Sequence, residues 1–215
     1  MKYDTKVERF DLNGLAIDIE MLADIDVTID RLFDLYEAQG KTDLFEEMCP
    51  SFGTLWPAGR VLADYISARS LPSEKRILEV GCGLALPSLY LAKRGLSIHA
   101  TDVHPDVPIF LERNRELNSI EGPAFTSVDW RAASAERPAW DLVIASDVLY
   151  DKTQPGSLLA FLRGAVVPGG RVLLADPGRT YVQGFFDDAA QQGFKIKTHG
   201  SFGVLIGELT RDVVS

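Results

Sequence analysis

The sequence of 215 residues has few of the residues that crosslink or metallate small proteins. Its two cysteines, Cys49 and Cys82, are too few for a disulfide framework. Its three histidines, His99, His104 and His199, form no cluster with the spacing of metal ligands. We therefore expect no bound metal.

Long apolar runs are also missing. No segment approaches the roughly 20 apolar residues that cross a bilayer, and residues 1–14 lack the apolar core of a secretory signal. With 46% hydrophobic and 25% charged residues, the composition is that of a soluble globular protein. We expect a cytoplasmic monomer with no membrane partner.

Basic residues are outnumbered, 22 against 31 acids, which gives a net charge of −9. Residues 1–60 alone hold thirteen acids and six bases. No basic stripe is present for duplex nucleic acid, so we expect no nucleic-acid partner. The acidic first quarter could attract a basic partner, although a solvated surface is the simpler interpretation.

Apolar runs and helically spaced segments alternate through the last two thirds of the chain. Runs such as ILEV and LVIA are apolar without alternation, which is typical of parallel strands covered on both faces. The last two strands are joined only by residues 199–201, a connection that permits a hairpin and excludes a parallel crossover. The pattern predicts an α/β fold, with a mostly parallel sheet of about seven strands whose last strand is antiparallel. Strands are predicted near residues 75–80, 96–101, 124–129, 140–146, 170–175, 194–199 and 202–210, with helices over 85–94, 106–118, 156–165 and 180–191.

Residues 1–55 differ in kind from the rest. Strand-like alternation surrounds an Asn13-Gly14 turn, and residues 26–39 have helical spacing with Ile29, Leu32, Phe33 and Tyr36 on one stripe. We interpret residues 1–55 as an N-terminal extension, a strand pair and a helix, packed on a domain formed by residues 56–215. The boundary is indistinct, because residues 55–69 read as a helix that enters the main domain.

The most informative motif is Gly81-Cys82-Gly83, which follows an apolar strand and precedes a helix. Glycines at such a bend allow close approach of a ligand, and the helix N-terminus presents free N–H groups. This pattern alone fits NAD, FAD or S-adenosylmethionine, or a tight turn with no ligand. Glu79 favours S-adenosylmethionine, because a buried carboxylate requires a cation such as the amino group of that cofactor. The alternative is a salt bridge from Glu79 to Arg76 or Lys75.

Further acids follow the other predicted strands. Asp102 could accept the ribose hydroxyls of an adenosine cofactor, or cap the next helix. Asp129, Asp147 and Asp176 end later strands. Because the carboxyl ends of parallel strands meet at one edge, all these acids should border one cleft.

Taken in order, EVGCGLALPSL, TDVHPD, the ERN of the second helix, VDW and DLVIASDVLYD resemble the seven-strand S-adenosylmethionine-dependent methyltransferases of family 16. That family includes protein-lysine methyltransferases and nicotinamide-methyltransferase-like proteins. The resemblance covers about residues 50–180, and ADPGR at 175–179 is similar to a segment of the electron-transfer-flavoprotein-β lysine methyltransferases. It implies a Rossmann-like class I methyltransferase fold.

The resemblance also implies roles for individual residues. The cofactor-binding residues would be Glu79, Gly81, Cys82 and Gly83 at the methionine end, Asp102 at the ribose, Asp129 and Trp130 at the adenine, with Trp56 closing one side and Ser146 nearby. The D/E-x-x-Y/F motif is Asp147 to Tyr150, and these two are the candidate catalytic residues. Ala85 stands where the family more often has a third glycine.

The expected reaction is methyl transfer to a protein lysine. Transfer to an amine needs alignment and a free lone pair, and a lysine is mostly protonated at pH 7. We expect Asp147 to orient the amine and Tyr150 to form a wall of its pocket, the alternative for Tyr150 being a core aromatic. Cys82 is interpreted as a small space filler, Cys49 as buried and His99 as a satisfied core histidine.

Three other functions are weighed against this one. The first is methylation of a small-molecule amine or other metabolite, and the second is a cofactor-binding module without catalysis. The third, an NAD-dependent oxidoreductase, is disfavoured because Leu86 replaces the last glycine of the dinucleotide fingerprint.

Overall fold

A computed structural model of the protein describes residues 3–71, 76–132 and 139–213. Its helices and strands follow the predicted alternation. In chain order they are β1 (Thr5–Leu12), β2 (Leu15–Leu22), α1 (Ile25–Ala38), α2 (Phe45–Met48), α3 (Pro57–Ser67), β3 (Ile77–Val80), α4 (Leu86–Lys93), β4 (Ile98–Asp102), α5 (Val107–Asn118), β5 (Ala124–Ser127), β6 (Trp140–Ser146), α6 (Gln154–Ala165), β7 (Val166–Asp176), α7 (Thr180–Gln191), β8 (Phe194–Ser201) and β9 (Val204–Arg211).

Seven of these strands form one sheet in the order β5-β4-β3-β6-β7-β9-β8. The pairs β4–β5, β3–β4, β3–β6 and β6–β7 are parallel, whereas β9 runs antiparallel to both β7 and β8. The predicted α/β fold, with a mostly parallel sheet and an antiparallel last strand, is confirmed. The last strand does not lie at the edge, because it inserts between β7 and β8.

Both faces of the sheet are covered by helices, which explains why its central strands are apolar throughout. In β3, Ile77 packs into a buried cluster with residues of α3, α4 and α5. Leu78 and Val80 pack into a second cluster with residues of α6 and α7. Each strand residue is therefore withdrawn from water whichever way it points, which is the arrangement expected of a doubly covered parallel sheet. No helix in these described ranges is long and apolar enough to cross a bilayer.

The hairpin that joins the last two strands differs in detail from its prediction. Its turn is Phe202-Gly203, rather than residues 199–201, so that β8 extends to Ser201. Both turn residues have positive φ, 47° for Phe202 and 77° for Gly203. A two-residue hairpin of this twist requires positive φ at both positions, and glycine meets that requirement without strain.

Several strand boundaries also differ from prediction. The strand expected over 170–175 begins at Val166, immediately after α6, where Val166 already pairs with Trp140 of β6; the register shifts before Arg171 pairs with Leu142. The strand expected over 124–129 ends at Ser127, because the chain turns into a short 3₁₀ helix at Trp130–Ala132. Neither difference moves the carboxyl end of the strand away from the same edge of the sheet.

The N-terminal strands pair with each other and form a separate two-stranded sheet around the Asn13-Gly14 turn. The inward side chains of β2, among them Ile17 and Ile19, are fully buried in the cluster that contains α3, α4 and α5. On α1, the predicted stripe is only partly covered: Leu32 is buried and Phe33 is exposed. The division of the chain at residue 55 stays a prediction.

Two asparagines of α5 attach this hairpin to that helix. The Asn114 side chain accepts from the Glu20 N–H at 2.6 Å and donates to the Glu20 carbonyl at 3.2 Å. The Asn118 side chain does the same with Asp18, at 2.9 and 2.6 Å. Each side-chain amide thus replaces a neighbouring strand along the free edge of β2. A buried edge would otherwise leave backbone groups without partners.

Replacing Asn114 by alanine should therefore destabilise the protein by about 2–4 kcal/mol, because the N–H and C=O of Glu20 lose their partners. Urea unfolding followed by circular dichroism measures the change. Glu116→Ala, on the exposed side of the same helix, is the matched control and should change stability by less than about 0.5 kcal/mol. Equal effects of the two substitutions would contradict the attachment role.

Candidate active site

The carboxyl ends of the parallel strands bring the predicted acids to one edge of the sheet. Val80 of β3 lies beside Thr101 of β4 and Ala145 of β6, while Ser146 lies beside Ala175 of β7. Glu79, Asp102, Asp147 and Asp176 occupy or directly follow these strand ends. Strand order reverses between β3 and β6, and a crevice at such a reversal is the usual ligand site of an open α/β sheet.

The glycine loop between β3 and α4 is tightly enclosed. A Cβ on Gly81 would lie 2.8 Å from Cγ1 of Val148, and a Cβ on Gly83 would lie 3.3 Å from the carbonyl oxygen of Phe52. Both glycines have positive φ, as does Ala85 at 57°. Ala85 thus adopts the conformation that glycine favours. An alanine in place of the family's third glycine therefore keeps the loop conformation, at a cost of about 1 kcal/mol in backbone strain.

Glu79 lies under this loop with a side chain that is almost inaccessible, since the residue is 1% exposed. Its carboxyl accepts from the Ser88 hydroxyl and from the Ser88 N–H at 3.2 Å. Burial raises the pKa of Glu79 to about 8, against the lowering effect of the Ser88 hydrogen bonds. The alternative of a salt bridge to Arg76 is wrong, because Arg76 pairs with Asp141. Lys75 lies outside the described residues.

Asp102 connects two loops of the site. One carboxylate oxygen accepts from the Gly83 N–H at 2.9 Å, and the other accepts from the N–H groups of Val103 and His104 at 2.8 and 3.0 Å. These donors occupy three of the roughly four lone-pair positions of a carboxylate. The N-cap residue of α5 is Asp106, so the alternative interpretation of Asp102 as the helix cap is wrong.

Trp130 and Asp129 border the other side of the glycine loop. The Trp130 ring lies 3.5 Å from the position of a Gly81 Cβ, and its N–H donates to Gln154 at 3.1 Å. Asp129 is partly exposed and forms an ion pair with Arg131 at 2.8 Å, which lowers the pKa of the Asp129 carboxyl. The structure therefore brings Trp130 against the loop and leaves Asp129 at the rim.

Trp56 and Ser146 both lie at the N-terminal end of α3, beside the site. Trp56 immediately precedes that helix, is 43% exposed and donates from its indole N–H to the Ser51 carbonyl at 2.9 Å. Ser146 lies at the helix itself, because its Oγ would be 3.3 Å from a Cβ on Gly59. The N-terminus of α3 consequently faces the carboxyl end of β6.

Asp147 follows β6 in a left-handed conformation with φ 59°. Its Oδ1 pairs with Nη1 of Arg179 at 2.7 Å, and the same nitrogen lies 3.2 Å from Oδ2 of Asp176. Asp176 also accepts from the N–H groups of Gly178 and Arg179. Burial raises the pKa of Asp147 and outweighs the lowering effect of Arg179. A strained, buried carboxylate of this kind is typical of functional sites.

Tyr150 projects from the same loop on the side of Asp102. The residue is 61% exposed, so the alternative of a core aromatic is wrong. Partial burial of the hydroxyl raises the pKa of Tyr150, and the negative charge of Asp102 raises it further by a smaller amount. Val148 and Leu149 between the two motif residues are buried, which holds Asp147 and Tyr150 at opposite sides of one loop.

Two residues of this site were not identified from the sequence. Ser88 has no signal beyond its place in the first turn of the helix after the glycine loop. Arg179 was part of the ADPGR segment, but only the fold shows that it reaches Asp147, 32 positions away. An ion pair between residues so far apart in the sequence depends on the order of the strands in the sheet, and local spacing along the chain does not encode that order.

Cys82, His99 and Cys49 have structural interpretations from the sequence, and the structure shows how far each is buried. Burial raises the pKa of the Cys82 thiol, as expected of a space filler. His99 is half-buried with a ring nitrogen 2.8 Å from the Thr126 hydroxyl. The interpretation of Cys49 as buried is wrong, because this residue, which follows the short α2, is only partly buried.

Comparison with known proteins places these features in context. Residues 38–191 match the sequence model of a family described as lysine methyltransferase. A histone-arginine methyltransferase METTL23 from Xenopus laevis is 28% identical over 148 residues, 62% of this chain and 63% of that protein. A ubiquinone biosynthesis O-methyltransferase from Xanthomonas axonopodis pv. citri (strain 306) is 31% identical over 126 residues, 56% of this chain and 50% of that protein.

Among solved structures, a TehB-like SAM-dependent methyltransferase from Corynebacterium glutamicum is similar with a TM-score of 0.58 at 17% identity. The match covers 82% of this chain and 98% of that one. The likeness shows the fold. The chain spans between half and two thirds of the length of the two curated relatives.

The raised pKa of Glu79 predicts a pH-dependent cost of folding. The folded protein keeps a proton on Glu79 up to a pH of about 8, whereas the ordinary pKa of a glutamate carboxyl, as in the unfolded chain, is 4.5. Stability from this group therefore falls as pH rises between these two values. Glu79→Gln resembles the protonated form at every pH, so its stability relative to wild type should increase between pH 5 and pH 8, by on the order of 2–4 kcal/mol.

Urea unfolding at several pH values measures this difference without any ligand. Asp187→Asn, a substitution at an exposed residue of α7, serves as the control and should show no such trend. A constant difference between Glu79→Gln and wild type would show that the carboxyl is ionised throughout.

Proposed function

Because the chain belongs to the lysine methyltransferase family, we propose that it transfers a methyl group from S-adenosylmethionine to the side-chain amine of a protein lysine. The observation that carries the proposal is the presence of two buried carboxyl groups, each with its own partner, at the point where strand order reverses. Glu79 is suited to the cationic end of the cofactor, and Asp147 to the acceptor.

The surroundings of Glu79 fit the amino-acid end of S-adenosylmethionine. The carboxyl is buried, and its hydrogen-bond donors, the Ser88 N–H and hydroxyl, are neutral. An ammonium group beside it would favour the ionised carboxylate and offset the cost of its burial. A dinucleotide pyrophosphate would be repelled at this place, which favours S-adenosylmethionine over NAD.

The remaining cofactor contacts follow from the edge geometry. Asp102 would accept a ribose hydroxyl at the lone pair that its backbone donors leave free. Trp130, with the partly exposed Asp129 next to it, would border the adenine. Trp56, at the exposed start of α3, would cover the side nearest Ser146.

When bound, S-adenosylmethionine supplies a methyl group on a sulfonium sulfur, which takes the bonding electron pair as the acceptor nitrogen forms its new bond to carbon. The protein has to align an amine that carries a free lone pair. Asp147 would accept a hydrogen bond from that amine at its buried Oδ2. Tyr150 would provide an aromatic wall from the opposite side of the loop.

A protein acceptor is favoured by the exposed aromatic side chains along this edge. Phe202 is 94% exposed at the tip of the β8–β9 hairpin, next to the end of β7, and Trp56 and Tyr150 are exposed at neighbouring loops. Aromatic residues of this kind are enriched where proteins contact proteins. The relative named histone-arginine methyltransferase supports the same acceptor class.

The second candidate is transfer to a small molecule. It is favoured by the similarity over 126 residues to a ubiquinone biosynthesis O-methyltransferase. Both candidates use the same cofactor site, so they differ only in what reaches Asp147 and Tyr150.

We expect that incubation with methyl-labelled S-adenosylmethionine and a lysate of the source cells will label a discrete protein band. Asp147→Ala should reduce this labelling by at least about a hundredfold, because alignment of the amine is lost. Calorimetry with S-adenosylhomocysteine should show little change in cofactor affinity for the same variant.

Asp187→Ala, on the exposed side of α7, is the matched control and should label as wild type. Label confined to small molecules would replace the protein acceptor by the second candidate. Absence of S-adenosylhomocysteine binding would contradict the proposed cofactor, and unchanged labelling with Asp147→Ala would contradict the role of Asp147.

A further inference from the structure

The two oxygens of the Asp147 carboxylate have different surroundings. Oδ1 is held by the Arg179 guanidinium at 2.7 Å. Oδ2 is buried and has no hydrogen-bond partner among the described residues. The side chain as a whole is only 10% exposed. A buried carboxylate oxygen without a donor is costly, so this atom is a place where the protein would gain from an incoming N–H group.

Two charged side chains, those of Arg179 and Asp176, set the electrostatics at this carboxylate. Asp176 acts on Asp147 from the end of β7 and Arg179 from the loop after it, while the N–H of Ala58 in α3 lowers the pKa of the Asp147 carboxyl without a hydrogen bond to Oδ2. On the loop of Asp147 itself, burial raises the pKa of the Tyr150 hydroxyl. With both carboxylates ionised, the cluster of Asp147, Asp176 and Arg179 carries one net negative charge, and its cation is bound directly to Asp147.

We propose that Arg179 is a positioning residue that makes Asp147 a hydrogen-bond acceptor for an uncharged amine and disfavours the ammonium form at the same place. The inference rests on the proposed function, since it concerns the acceptor of that reaction. It gives a role to a residue that the D/E-x-x-Y/F motif does not include.

The Asp147 carboxylate and the Arg179 guanidinium have opposite effects on the pKa of an amine bound at Oδ2. A lone carboxylate would attract an ammonium and raise its pKa, which keeps the lone pair protonated. The guanidinium at Oδ1 lies within a few ångströms of any group at Oδ2, and a like charge at about 4–6 Å disfavours the protonated amine. The proton is therefore lost to solvent before the amine occupies the site, and the lone pair remains free for transfer.

The test uses n-butylamine as a probe of the lysine side chain, titrated into the full chain at pH 7.5 and pH 9.5. Binding is followed by NMR of the backbone amides, with and without S-adenosylhomocysteine. Since a simple amine of this kind has a pKa near 10.4, a site selective for the uncharged form should bind the probe at least tenfold more tightly at pH 9.5. Asp147→Asn should reduce binding at both pH values at least fivefold.

In Arg179→Met the carboxylate is freed, so affinity at pH 7.5 should rise at least fivefold and its increase towards pH 9.5 should disappear. Arg179→Lys keeps a positive charge and should retain the wild-type increase with pH. Arg9→Met, which removes the arginine of an exposed ion pair with Asp18, is the matched control and should behave as wild type. A residue that served only to hold the loop would not reverse this pH dependence.

Equal pH dependence in wild type and Arg179→Met would overturn the inference, as would the absence of probe binding in both. Should Arg179→Met fail to fold, the tenfold increase in wild type and the at least fivefold weaker binding of Asp147→Asn at both pH values test the inference. Failure of S-adenosylhomocysteine to bind would contradict the proposed function instead, because the probe is also titrated without it.

Discussion

The reversal of strand order between β3 and β6 is the constraint on which the rest of the site depends. The chain leaves β3 towards β4 and β5, then returns to the other side of β3 and continues through β6 and β7. The loops after β3 and β6 therefore diverge and leave a crevice between them. The glycine loop enters this crevice from one side, and Val148 packs against it from the other.

Burial of charge is what makes this crevice chemically specific. Glu79 and Asp147 both have raised pKa values because burial outweighs their hydrogen bonds. They differ in their partners, since Glu79 contacts the neutral Ser88 and Asp147 contacts the cation of Arg179. One carboxyl is thus suited to a cationic ligand group and the other to a neutral donor, although the two lie on neighbouring strands.

The N-terminal segments contribute by closing the crevice. Asn114 and Asn118 attach the β1–β2 hairpin to α5, and Phe52 brings the following segment to the glycine loop, where its carbonyl lies close to Gly83. The segment then enters α3, whose N-terminus faces the end of β6. Residues remote from the cofactor motif in sequence are in this way part of the same enclosure.

The sequence by itself determined the order of strands and helices, the glycine loop and the acids at the strand ends. These features depend on local pattern, because apolar runs, turn residues and helix periodicity act over a few positions. The tertiary structure alone decided that β9 inserts between β7 and β8, that Tyr150 is exposed, and that Arg179 pairs with Asp147. Each of these depends on which distant segments become neighbours, and that is set by packing of the whole sheet, for which spacing along the chain carries no signal.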